Sequence, residues 1–422
     1  MRNIFDQYTQ PENRLTHALL GCLDADRPLL HRFLRWTVGN KPGGRIHVYE
    51  QGFPGFPAAL AEEEAERRGL PDGCITNEKD WTLLIETKFA APLTADQLRR
   101  HVRTARRHGL SGIRVLTLTV GPPPAHLPNE VIARPWTDIY QWFVRESPVS
   151  EWARRCAEYI EVAEERGVAS QYLREGTLTM FSGVPYDSDN PYSYLSAKRL
   201  LGLLRAEVCS DARLRKLGAD IKRPGRSAIT GREHQSVWDF IPLLHAKNAD
   251  VFTQFPHLTM GIKDGSVGAH VTFPNGIKSR LRSGLLGRSE EEFRERIQLV
   301  NYRLSQIVKR SGGTPQAVLV QRHYRTQRSK GVEDCLLMFD LRTALPAEDK
   351  SRGPIRSQPE WVGTAYQALK ARRSNLQFQI GVMFPYIDCP MVRTPKLASF
   401  VVETFLACQP IIQAATGGTE RD

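Results

Sequence analysis

Asp72, Glu86 and Lys88 are the residues whose types and spacing could do chemistry together, in the stretch "LPDGCITNEKDWTLLIETK" at positions 70–88. The segment "WTLLIETK" is rich in large apolar side chains, the pattern of a strand buried on both faces. Alternation puts Glu86 and Lys88 on one face of that strand and Ile85 and Thr87 on the other. Two charges at the end of a buried strand are costly unless they are paired or hold a metal. Such a conflict between pattern and polarity is where function is expected. Asp72 begins the preceding strand, across the "NEKD" turn. Pairing Asn77 with Trp81 would set Asp72 opposite Glu86. A five-residue loop would also keep both on one face, whereas a four-residue loop would separate them. Two carboxylates and a lysine at one sheet edge suit Mg²⁺, which takes one or two carboxylates, several waters and phosphate oxygens. Such a cation lowers the pKa of a bound water and steadies a pentavalent phosphate, while the lysine offsets charge near the attacking water. The plain structural reading is a turn cap at Asp72 and an ion pair between Glu86 and Lys88.

The elements that must position these residues follow from periodicity. Residues 9–24 read as a helix with Thr9 as its cap, Pro11 in its first turn and an apolar stripe at Leu15, Ala18, Leu19, Cys22 and Leu23. A second helix is expected over 26–37, a strand over 45–51 and a charged helix over 58–69. Two strands flank "NEKD", a basic helix follows over 94–109, a strand over 113–121, and a helix from about 137 to 145 closes the unit. The order helix, strand, strand, strand, helix, strand implies a mixed sheet with helices on its faces, an α/β unit over residues 1–145. Residues 146–177 read as a helical connector. From 178 to 422 the pattern is α+β, with a hairpin around Asp264-Gly265 and strands near 316–324, 335–341 and 376–384.

Pro71-Asp72, followed by Glu86-Thr87-Lys88 at the end of an apolar strand, resembles the PD-(D/E)XK nuclease superfamily. The likeness spans residues 1–145 and matches that superfamily's restriction-endonuclease-like α-β-β-β-α-β core. It implies that Asp72 and Glu86 bind Mg²⁺, with Mn²⁺ able to substitute. It also implies a further oxygen from the Thr87 carbonyl and a water-orienting role for Lys88. Glu12, in the first helix, matches a metal-associated acid of several members, although Thr9-x-x-Glu12 also reads as a capping box. Gln97 resembles the QxxxY element of exonuclease-like members, with His101 where that element has tyrosine. The helix at 58–69 is a departure, since many members have a tight hairpin there. The function implied is metal-dependent hydrolysis of phosphodiester bonds, DNA being expected rather than RNA, in a restriction or antiviral defence setting. The alternative is a non-catalytic nucleic-acid-binding or sensor protein that retains the fold.

The charge balance agrees with a polyanionic partner. The net charge is +12 and the pI about 9.5. Through Glu146 there are 19 Lys+Arg against 17 Asp+Glu, which leaves 39 against 29 of the chain's 58 and 46 for the remainder. Nucleic-acid contacts are therefore expected at Gln97 and Arg100 of the basic helix, but chiefly in "RLRKLGADIKRPGRSAITGR" and "QRHYRTQRSK". The candidates there are Lys222, Arg223, Arg226, Arg322 and Arg325 for phosphates, and Tyr324 for stacking on a base. A solvated cationic surface is the simpler reading of both stretches. Seven cysteines without a CxxC pair imply reduced thiols and no zinc site. No apolar run reaches the roughly 20 residues of a membrane helix, and the N-terminus lacks a signal-like apolar core, so a cytoplasmic location is expected. No GxxxxGK[ST] loop for nucleotide hydrolysis is present. A homo-oligomer or a defence-system partner is compatible with the sequence.

Overall fold

Helix α1 (Pro11–Ala25) starts at a proline whose fixed φ suits a first helical turn, and it buries the whole expected stripe from Leu15 to Leu23. In this computed structural model the described residues are 5, 8, 10–39, 42–55, 69–89, 93–120, 127–185, 194–223, 225, 229–230, 235–243, 254–323, 332–344, 358–371 and 376–417. The chain divides into two compact units, Met1–Met180 and Phe181–Asp422. The helix expected over 58–69 and the cap at Thr9 lie outside the described residues, apart from Gly69.

In the first unit α2 (Arg27–Val38) follows α1. The Asp26 side chain accepts a hydrogen bond from Leu29 N, and Gly39 closes the helix at φ 82°. Then come β1 (His47–Glu50), β2 (Gly73–Thr76), β3 (Thr82–Lys88), α3 (Ala95–Arg107), β4 (Ile113–Thr119), β5 (Val131–Pro135), α4 (Trp136–Glu146) and α5 (Glu151–Ala169). The sheet order is β1-β2-β3-β4-β5. The first two pairings are antiparallel and the last two parallel, so the unit is α/β with a mixed five-stranded sheet. β3 lies in the middle of it. Leu83 and Ile85 enter a core with Leu15, Leu19, Leu116, Trp136 and Phe143. Leu84 points the other way, with Cys74, Leu98, Val102 and Val115. Covered on both faces, the strand reads as a continuous apolar run, as expected.

Two elements differ from the sequence reading. β5 is an addition to the expected order. It is short, sits at the sheet edge and ends at Pro135, so it carries little of the pattern that marks a strand. The connector helix is α5, and it packs into the first unit. Cys156, Tyr159 and Ile160 are buried there among residues of α1 and α4. Buried Glu164 accepts hydrogen bonds from Gly176 N, Leu178 N and Thr179 N at 3.1, 2.6 and 3.0 Å, which ties the following segment to the helix.

The second unit is an all-antiparallel seven-stranded sheet with helices, consistent with the α+β expectation. Its strands are β6 (Ile229–Thr230), β7 (Ser236–Pro242), β8 (His257–Lys263), β9 (Ser266–Phe273), β10 (Thr314–His323), β11 (Val332–Asp340) and β12 (Leu376–Pro385), in the order β11-β10-β12-β9-β8-β7-β6. The β8–β9 hairpin turns at Asp264-Gly265, where Gly265 has φ 76°. Leu204, Leu304 and Phe405 from the helices share a core with Val237, Leu258, Val271 and Ile380 from the sheet. Among the described residues no single helix is long and apolar enough to cross a membrane.

Gly112 keys the start of β4 to the β2–β3 turn. Its φ is +56°, and a Cβ there would lie 2.0 Å from the Asp80 carbonyl oxygen. Gly112→Ala is expected to destabilise the first unit by about 1–3 kcal/mol, the cost of strained backbone plus a clash with main chain. Thermal unfolding checks this, and an unchanged melting temperature would contradict the packing described here.

Candidate active site

The turn between β2 and β3 decides whether the carboxylates meet. Asn77 N donates to Trp81 O at 3.2 Å. The Asn77 side-chain oxygen accepts from the backbone N–H of Lys79, Asp80 and Trp81 at 3.1, 3.2 and 3.0 Å. This asparagine-centred turn closes the odd-length loop. The strands then pair in the register Gly73↔Ile85, Cys74↔Leu84, Ile75↔Leu83 and Thr76↔Thr82. One step further sets Asp72 opposite Glu86. Asp72 Oδ2 accepts from Thr87 N at 2.7 Å, which holds its carboxyl at the end of β3.

Glu86 is almost fully buried, at 2% exposure. Its Oε1 lies 2.9 Å from Lys88 Nζ and accepts from Gln97 Nε2 at 2.6 Å. Its Oε2 lies 3.1 Å from His101 Nε2, yet both atoms are buried without a completed hydrogen bond. The two acids are driven apart in proton affinity. Burial, reinforced by the Glu86 carboxylate, pushes Asp72 well above the usual carboxylate range, against the pull of Lys88 and Thr87 N–H. Burial also pushes Glu86 upward, but His101 and Lys88 outweigh it and hold Glu86 below its ordinary value. Lys88 is pushed down by burial and raised more strongly by Glu86 and Asp72, so its pKa ends above normal and the ammonium is retained. One acid that keeps its proton beside one that loses it is the behaviour of a coupled pair.

Glu12 joins this site from α1. Its Oε1 accepts from Phe89 N at 2.8 Å, while one turn on Thr16 Oγ1 meets Thr87 Oγ1 at 2.8 Å. The N-cap of this helix is Gln10, which makes no side-chain cap bond, and Thr9 of the capping-box reading lies outside the described residues. Gln97, expected at nucleic acid, is a direct partner of Glu86. His101, one helical turn beyond Gln97 on α3, enters the sequence reading only as a departure from a motif. Its four-residue spacing from Gln97 is the signal that both reach one point. Arg100 is exposed, with its stem lying over Gly69.

In the second unit Lys222 is exposed, and the Arg223 carbonyl accepts from Arg205 Nη2 at 3.1 Å. Arg322 is exposed and pairs with Glu333 at 3.1 Å. Arg226, Tyr324 and Arg325 lie outside the described residues.

Among the described residues no set of three or more His, Cys, Asp or Glu side chains stands ready assembled around a cation. Glu86 Oε1 and Asp72 Oδ2 are engaged by Lys88, Gln97 and Thr87. Two features nevertheless fit a divalent ion: the buried Oε2 of Glu86, which completes no hydrogen bond, and a second buried carboxyl that is unfavourable as an anion. A cation would relieve both. In comparison with known proteins, no family model, no curated protein and no solved structure matches this chain.

Proposed function

We propose that the first unit is a divalent-metal-dependent nuclease of the PD-(D/E)XK type, with a restriction-endonuclease-like core and DNA as the expected substrate. The observation that carries this reading is the convergence of Asp72, Glu86 and Lys88 at the end of β3, with Glu86 Oε2 buried without a completed hydrogen bond. Asp72 and Glu86 would hold the ion, Mg²⁺ or Mn²⁺, with Glu12 beside them. The bound ion would supply an activated water and charge stabilisation at phosphorus. Lys88 acts as a retained ammonium that orients and balances charge rather than as a base, because its pKa lies above normal. Gln97 orients the Glu86 carboxylate. The test is cleavage of plasmid, linear duplex, single-stranded DNA and RNA with Mg²⁺ or Mn²⁺. Cleavage that EDTA abolishes is expected. Binding without cleavage would favour a non-catalytic nucleic-acid sensor.

The second unit, with the larger share of positive charge, is proposed to hold most of the bound phosphates. Replacing Lys222, Arg223 and Arg226 together with alanine should weaken DNA binding. It should also flatten its dependence on log[salt] by about 0.9 for each duplex phosphate that the variant no longer neutralises. Unchanged affinity and slope, measured by fluorescence anisotropy, would mark that stretch as solvated surface.

A further inference from the structure

His101 is 2% exposed, and its Nδ1 lies 2.9 Å from the Gly69 carbonyl oxygen. A carbonyl can only accept, so Nδ1 carries a proton and donates. That bond fixes the ring and sets Nε2 3.1 Å from Glu86 Oε2, out of line for a hydrogen bond. Neither atom completes a hydrogen bond, although both are buried. A nitrogen and a carboxylate oxygen this close in a dry site are costly unless they share a positive charge, either a proton on Nε2 or a cation bound by both. Two donor atoms at right angles around one cation, each about 2.1 Å from it, are themselves about 3 Å apart. The observed separation matches two neighbouring ligands of one ion as well as it matches an ion pair, and the missing hydrogen bond favours the former. A backbone carbonyl on the far ring nitrogen is also the usual outer support of a ligating imidazole.

We propose that His101 Nε2 is a ligand of the same cation as Glu86 and Asp72, and that the site for this reason favours Mn²⁺ over Mg²⁺. This rests on the reading of the two acids as cation ligands. Mg²⁺ strongly prefers oxygen, whereas imidazole nitrogen suits transition-metal ions. α3 thereby contributes a ligand as well as the Gln97 support, from a helix turn that spaces the two side chains by four residues.

The experiment uses the metal-free full chain titrated with Mn²⁺ and with Mg²⁺ by calorimetry. Electron spin-echo modulation is then recorded on the Mn²⁺ form. Nitrogen-14 modulation from a coordinated imidazole is expected in the wild type and absent in His101→Gln. The ratio of Mg²⁺ to Mn²⁺ dissociation constants should fall at least about tenfold in that variant, a difference of about 1.4 kcal/mol. Mn²⁺ bound without nitrogen modulation overturns the proposal and leaves the nuclease reading standing. That measurement needs only the wild type, so it decides even if His101→Gln fails to fold. An unchanged ratio in folded His101→Gln, with a lower metal-free melting temperature, would mean that a proton bridges the pair, and it also overturns the proposal. If no divalent ion binds at all, the proposal and the reading beneath it fall together.

Discussion

Glu86→Gln is expected to reduce divalent-metal-dependent cleavage by several orders of magnitude while leaving the protein folded. The amide keeps the shape of the side chain and can still accept from Gln97 and Lys88 through Oε1, but it removes the charge that would hold the ion. Weakening the Lys88 pairing costs about 1–2 kcal/mol, the scale of one charged hydrogen bond. Lys88→Ala separates two roles. Metal binding should persist because both carboxylates remain, while turnover falls. Cleavage assays and Mn²⁺ binding on the same preparations check the pair. Full cleavage by folded Glu86→Gln would remove this site from the reaction.

Asp72→Asn should have the opposite effect on stability, and only in a defined pH window. Asp72 binds its proton more tightly folded than unfolded. Its contribution to stability is therefore complete below about pH 3.9, where free aspartate is protonated in both states. That contribution is lost as pH rises through the raised folded value. Glu86 has the reverse sign, its stabilisation being lost as pH falls, and it is present in both proteins. Metal-free Asp72→Asn should match the wild type in acid and unfold at a higher temperature at neutral and alkaline pH. Saturating Mn²⁺ should invert the order. At a hundredfold excess over Kd, a ligand specific for the folded state adds about 2.7 kcal/mol to the protein that binds it. A melting-temperature difference flat across pH, or equal stabilisation of both proteins by Mn²⁺, would contradict the electrostatics described for Asp72.

The legible part of this site is the part governed by local rules. Side chains alternate with a period of two, so an odd loop is enough to set Asp72 across from Glu86, and Asn77 supplies the turn chemistry that selects it. The apolar stripe of α1 is equally readable. What the sequence hides depends on partners far along the chain. Glu12 resembles a cap when only its neighbours are considered, yet it bonds to Phe89 N, 77 residues away. Seen only as charges at the end of a buried strand, Glu86 and Lys88 carry the cost. The structure moves the cost to Asp72, because α3 brings Gln97 and His101 to Glu86 while Asp72 has the Thr87 N–H. β5 escapes notice because an edge strand ending in proline need not display a buried pattern.

Whether Asp72 and Glu86 serve metal-dependent phosphodiester hydrolysis is tested most directly by one comparison of cleavage rates. Labelled duplex and single-stranded DNA are offered to the wild type and to Asp72→Asn/Glu86→Gln in one Mg²⁺ or Mn²⁺ buffer. The prediction is cleavage by the wild type that EDTA abolishes, and none by the folded double variant. No cleavage by the wild type with either ion, or equal cleavage by both proteins, would contradict it.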